Sequence, residues 1–127
     1  MRTLYLESSE LASELKALLP RLSQRDLELS RRMRRSAEEV STHAEESMLA
    51  TGRMRRFELR AAQEAAVELL GCLRAAESNG YLQAGELAIE ARVEALRARL
   101  AAADDSRRIP VSAVLAGGSS VKRAQAG

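Results

Sequence analysis

The stretch "DLELSRRMRRSAEEVSTHAEESM", residues 26–48, decides the fold, because its apolar residues recur every three or four positions. This spacing places them on one face of an α-helix, across about five turns. Residues 4–22, 54–76 and 82–100 repeat the pattern. We therefore expect four amphipathic helices with these buried faces: Leu4, Leu11, Leu15, Leu18 and Leu22; Leu29, Met33, Ala37, Val40, Ala44 and Met48; Met54, Phe57, Ala61, Ala65, Leu69, Cys72 and Ala76; and Leu82, Ile89, Val93, Leu96 and Leu100.

The breaks between these segments carry turn and capping signals. Pro20 and the "SQRD" that follows it are expected to end the first helix, and Ser23 or Asp26 is expected to cap the second. Gly52 suits a left-handed turn after the second helix. The sequence "SNG", residues 78–80, is a C-cap signal after the third.

The composition changes after "ADDS", residues 103–106, where the fourth helix is expected to end. Short connections between amphipathic helices imply antiparallel neighbours. We therefore predict an all-α fold, an antiparallel up-down-up-down four-helix bundle over residues 1–105. Residues 106–127 have no acid and contain "GGSS", which predicts a flexible basic tail. In the alternative, "IPVSAVL" is a short recognition segment that becomes ordered on a partner.

Composition limits the class of protein. The chain has 127 residues, the size of one domain, and 2% aromatic residues, which disfavours a β-sheet fold. A single cysteine, Cys72, excludes an internal disulfide and is expected to be a small core residue. No apolar run approaches the roughly 18 residues that a membrane span needs. We expect a cytoplasmic protein with no membrane partner.

The formal net charge of +2 conceals regions of opposite charge. Residues 21–60 carry +3 and residues 106–127 carry +4, whereas residues 61–105 carry −4. This pattern allows a polyanionic partner without requiring one.

The first basic cluster is "RRMRR", residues 31–35, on the second predicted helix. Three of its four arginines have an acid four residues away, a spacing that places the two side chains side by side on a helix. The expected pairs are Glu28 with Arg32, Arg34 with Glu38, and Arg35 with Glu39. This cluster is therefore predicted to be mainly a solvated, self-neutralised face, with Arg31 lacking a partner.

The second basic cluster, "GRMRRFELR", lies at the start of the third predicted helix. Arg53, Arg55 and Arg56 there oppose the positive end of the helix dipole. Two explanations remain open: pairing with Glu45 and Glu46 across the turn, or binding of an external phosphate. Because Phe57 is the only aromatic residue nearby, any binding is predicted to be directed at the phosphate backbone and salt-sensitive. One local pair in this cluster, Arg60 with Glu64, is also expected.

His43 is the only histidine of the chain. A di-metal site in a bundle needs a Glu-x-x-His motif from two helices, and a zinc site needs three or four ligands. No Ser-His-Asp or Cys-His arrangement indicates a nucleophile. We predict no catalytic residue, no metal site and no cofactor, with His43 exposed or at an interface.

Glycine and alanine in the third helix carry two further expectations. Gly71 costs helix stability, which predicts a close approach between helices at that point. The many alanines indicate either an exposed surface of high helix propensity or a second packing face used between subunits.

Several short elements occur in the order seen in a known family. They are Ala44 and Glu45; Thr51 to Arg53; Glu68 and Leu69; and Gly80, Tyr81 and Leu82. Residues 4–103 thereby resemble the four-helix bundle proteins encoded in intervening sequences of bacterial 23S ribosomal RNA genes. That family includes the accessory variability protein of diversity-generating retroelements. The chain departs from the family at Glu46, where glycine is usual. The resemblance implies a homopentamer and association with nucleic acid and a reverse transcriptase.

These observations predict a non-enzymatic, oligomeric bundle that serves as a nucleic-acid-binding accessory or scaffold for RNA or DNA. The alternative is a protein–protein adaptor whose bundle displays a C-terminal docking tail. The residues predicted to contact the polyanion are Arg31, Arg35, Arg53, Arg55, Arg56, Arg107, Arg108, Lys122 and Arg123.

Overall fold

The computed structural model describes the backbone of residues 3–116 and the side chains of residues 3–105. Within that range four α-helices follow one another: α1 (Leu4–Arg25), α2 (Leu27–Leu49), α3 (Gly52–Ser78) and α4 (Ala88–Ala116), with one 3₁₀ turn (Ala84–Glu86) before α4. Each helix packs against its neighbours in sequence, α4 returns to α1, and the diagonal pairs stay apart in the described part of the chain. The predicted all-α four-helix bundle is confirmed. No helix among the described residues is long and apolar enough to cross a membrane.

Most of the predicted turn signals act as expected. The Asp26 side chain accepts a hydrogen bond from the Leu29 backbone N–H at 3.0 Å and caps α2. Gly52 and Gly80 have φ angles of 58° and 74°, in the left-handed region that glycine tolerates. These residues set the tight connections that make successive helices antiparallel.

One predicted helix end is wrong and another is only partly right. Helix α1 ends at Arg25, within the predicted "SQRD", but it continues through Pro20, although an interior proline costs about 3 kcal/mol. The adjacent Leu18, Leu19 and Leu22 are buried, and burying each contributes roughly 1.5–3 kcal/mol, which offsets that cost. Helix α4 passes the predicted end at residues 103–106 and continues to Ala116. Residues 117–127 of the predicted tail lie outside the described residues.

The core confirms the predicted stripes of α1 and α2 except at Leu4, which is partly buried, and at Met48, which is 55% exposed. In α3 the predicted stripe is confirmed from Ala65 onward but is wrong for Met54, Phe57 and Ala61. The buried residues of this helix are Leu59, Ala62, Ala65, Ala66, Leu69, Leu70, Cys72, Leu73 and Ala76. The alanines of α3 were expected to form an exposed surface or a packing face between subunits, but most of them are buried inside the bundle. Cys72 is fully buried as predicted, and this burial raises the pKa of its thiol.

Ion pairs join neighbouring helices and follow the antiparallel register. Glu7 of α1 pairs with Arg99 of α4, and Glu14 pairs with Arg92. Seven residues forward along α1 therefore match seven residues back along α4. Partly exposed pairs such as these contribute at most about 1 kcal/mol each, so they specify register more than stability. The remaining inter-helix pairs are Arg21–Glu86, Arg32–Glu68, His43–Glu58, Arg60–Asp104 and Arg74–Glu90.

Gly71 does not serve a close helix approach within the bundle, which corrects that expectation. A Cβ atom built there meets no atom within 4 Å, and the residue is exposed. We therefore expect Gly71→Ala to raise the free energy of unfolding by about 0.5–1 kcal/mol, because alanine is the better helix former. Urea unfolding measures the change. Gly80→Ala is the control and should destabilise, since its φ is +74°. Lower stability of Gly71→Ala would point to a contact outside the single chain.

Two glutamates meet where α3 ends and α4 begins. A hydrogen bond with the Glu77 side chain, followed by desolvation, raises the pKa of Glu90 above its ordinary value, while Arg74 opposes the shift. The folded chain therefore binds this proton more tightly than the unfolded chain, and the pair costs stability as the pH rises through the Glu90 pKa.

Glu77→Gln removes the neighbouring charge and keeps the ion pair between Arg74 and Glu90. We expect it to raise the urea midpoint at pH 7 and to have little effect near about pH 3, where glutamates are protonated in both states. Glu64→Gln, on the exposed side of α3, is the matched control and should change little at either pH. An equal gain at both pH values would contradict the explanation.

Candidate nucleic-acid interface

The arginines of "RRMRR" are exposed, as predicted, but they do not neutralise themselves along α2, so that part of the prediction is wrong. The three expected pairs four residues apart do not form within 4.0 Å in the described residues, and Arg32 instead binds Glu68 of α3 at 3.3 Å. Ion pairs between exposed side chains gain little and restrict two long chains, so these arginines remain hydrated. Arg31, Arg34 and Arg35 are exposed, and none of them has an ion pair within residues 3–105.

Nothing in the first turn of α3 compensates for the positive charge of its arginines at the positive end of the helix dipole. Its N-cap, Thr51, makes no side-chain capping hydrogen bond, and its first turn contains no acid. Glu45 and Glu46 are exposed at the end of α2, and in the described residues neither pairs with the arginines across the turn. Of the two explanations that the sequence left open, pairing across the turn is therefore wrong.

The three arginines at this end occupy different positions. Arg53 is exposed and Arg56 is half-buried. Arg55 precedes the buried Leu59 by four residues, which places it on the core-facing side of α3. Its Nη1 atom is buried and has no hydrogen-bond partner in the described residues. Arg55 is half-buried, like Arg56, but Arg53 and Arg56 lie away from the core-facing side of α3 and are better placed to present charge to solvent.

The structure separates the predicted contact residues into two groups. Arg31 and Arg35 lie on the first half of α2, roughly 27 Å along that helix from the turn before Arg53. The exposed acids Glu38, Glu39, Glu45 and Glu46 occupy the surface between them. Arg107 and Arg108 belong to α4, but their side chains are outside the described part of the structure. Lys122 and Arg123 lie outside the described residues altogether. Among the side chains of residues 3–105, these arginines do not form one continuous basic surface.

Phe57 is exposed at this end of the bundle, although the sequence pattern predicted it to be buried. It lies two residues before Leu59, about 200° around the helix, and its side chain is 60% exposed instead of buried. Met54, predicted in the same stripe, is 58% exposed. The sequence could have indicated this exposure, because a helical pattern of buried residues counted from Leu59 leaves Met54 and Phe57 outside the core.

His43 lies in an open cleft between α2 and α3. Its Nδ1 atom is 2.7 Å from Glu58 Oε1, so the ring is held by a cross-helix hydrogen bond and is only partly exposed. The cleft has a volume of about 380 Å³ and is lined by Arg35, Glu39, His43, Ala61, Glu64, Ala65 and Glu68. Residues 3–105 contain no group of three or more side chains that could hold a metal ion.

Comparison with known proteins identifies no relative of this chain. The chain matches no protein-family model, no curated protein and no solved structure. The resemblance to the 23S intervening-sequence bundles therefore stays a prediction.

Proposed function

We propose that this chain is a non-enzymatic four-helix bundle that binds RNA or DNA through phosphate contacts and acts as an accessory or scaffold protein. The observation that supports the proposal is the basic start of α3, where Arg53 and Arg56 have no ion pair among the described residues and no acid offsets the helix dipole. Cations at a helix N-terminus are unfavourable by a few tenths of a kcal/mol to about 1 kcal/mol. A phosphate group reverses that cost, because it pairs with the arginines and with the dipole together.

The proposal includes self-association. The resemblance on Ala44, Glu45, Gly80 and Tyr81 favours a homopentamer of the rRNA intervening-sequence or retroelement-accessory type, with a reverse transcriptase as the protein partner in the second type. The mass of the purified chain in solution, measured by light scattering, tests the pentamer.

The experiment that tests nucleic-acid binding uses purified full-length protein freed of bound nucleic acid. Labelled RNA and DNA, single-stranded and duplex, are titrated at several salt concentrations. We expect binding that weakens linearly in a plot of log affinity against log salt. The absence of salt-dependent binding to any of these probes at low ionic strength would refute the proposal.

A protein–protein adaptor is the second candidate, and exposed apolar residues at the same end of the bundle favour it. Met48 is 55% exposed and Leu49 is 77% exposed, beside the turn into α3. Exposed apolar groups of this kind often mark protein contacts. Replacing Met48 and Leu49 together by serine separates the candidates: loss of partner capture with unchanged nucleic-acid affinity would favour the adaptor.

A further inference from the structure

Phe57 is the aromatic residue that the bundle leaves in water. Its side chain is 60% exposed, whereas Tyr5 and Tyr81 are half-buried. The Tyr81 ring also has a partner, because the Arg25 guanidinium lies 5.0 Å from its centroid. In the described residues no such cation lies over Phe57. The ring is therefore available to an external partner.

Arginines surround Phe57 on the outer side of α3. Arg53 precedes it by four residues, Arg56 by one, and Arg60 follows by three, spacings that make Arg53 and Arg60 its surface neighbours. Arg60 pairs with Asp104 at 3.3 Å but keeps 52% of its side chain exposed. Phe57 thus presents a flat apolar ring between the cationic side chains of Arg53 and Arg60. The exposed Met54 also lies beside it, and the adjacent acid, Glu58, is turned towards His43.

We infer that this face of α3 binds single-stranded nucleic acid, with one base stacked on Phe57 and the phosphates beside it contacted by Arg53, Arg56 and Arg60. The inference rests on the proposed function and adds that the bound nucleic acid is single-stranded. Stacking on a side chain requires an unstacked base, which a single strand or a loop offers and an intact duplex does not. Two of the ring's four helix neighbours at three and four residues, Arg53 and Arg60, are cationic, and this charge favours a nucleic-acid strand over an apolar protein surface.

The chain has no tryptophan, so Phe57→Trp places a single fluorescent reporter at the predicted stacking position. We expect this variant to keep its affinity for oligothymidine and to lose fluorescence when the strand binds. Val67→Trp is the matched control, since Val67 is 56% exposed on α3 beside Glu64 and Glu68. Its fluorescence should not respond. An equal response at both positions would overturn the stacking contact.

Two further variants measure the contribution of the ring. Phe57→Ala and Phe57→Leu should each weaken single-strand binding by roughly five- to 150-fold, the range for one stacked base. The slope of log affinity against log salt should be unchanged, because no charge is lost.

Wild-type affinity of Phe57→Leu would show a merely apolar contact and refute the stacking role. Equal binding of single strand and duplex, unaffected by Phe57→Ala, would refute this inference and leave the proposed function intact. The absence of binding to every nucleic-acid probe would refute the proposed function itself.

Discussion

Replacing Arg53 and Arg56 together by glutamate is expected to weaken nucleic-acid binding by roughly 50- to 100-fold at about 50 mM salt. Each phosphate contact releases counterions, so losing two contacts should also lower the salt slope by about 1.4 for a single strand. Arg55 is left in place because it lies on the core-facing side of α3, where a glutamate would disturb folding. Fluorescence anisotropy of a labelled strand across a salt series measures both quantities.

The matched control reverses two arginines at the other basic group. Arg31→Glu with Arg35→Glu changes the net charge by the same amount on an exposed face of α2, about 27 Å away along the helix. Thermal unfolding should show both double variants folded, because none of the four side chains has an ion pair in the described residues. A loss of affinity confined to the α2 variant would place the binding site there and contradict our assignment. Equal losses would show that only total charge matters.

Much of the fold was predictable because helical periodicity reports burial directly. The stripes from Leu11 to Leu22 and from Leu29 to Ala44 are buried, and the glycines at positions 52 and 80 adopt the positive φ that their turns require. Sequence signals for helix ends were less reliable. Pro20 acts through one missing hydrogen bond, and the burial of leucines on both sides of it outweighs that local loss.

The candidate site was predictable only in part, because its geometry depends on contacts between helices. The unusual charge at the start of α3 can be read from the sequence, since the helix dipole is a local property. The partner of Arg32 cannot, because Glu68 lies 36 residues further along the chain. The exposure of Phe57 also required the true register of α3, which the alanine-rich sequence around it leaves ambiguous between adjacent faces.

Leu73→Ala is expected to have the largest effect on stability, a loss of about 2–5 kcal/mol in the free energy of unfolding. Leu73 is fully buried, on the α3 stripe that faces the shared core of the bundle. Removing its branched end forfeits the transfer free energy of the lost carbons and leaves a cavity that packed helices fill only partly. Urea unfolding followed by circular dichroism measures the change, provided that the slope with denaturant is the same in both proteins.

Val67→Ala tests whether burial, and not side-chain size, determines that loss. Val67 lies on the same helix, six residues earlier, and is 56% exposed. Alanine is a better helix former than valine, so this variant should be neutral or slightly more stable. A loss of several kcal/mol at Val67 would mean that the outer side of α3 is covered in solution, as it would be by a neighbouring subunit of an oligomer. A negligible loss at Leu73 would contradict the register of α3, and with it the exposure of Phe57 on which the single-strand surface depends.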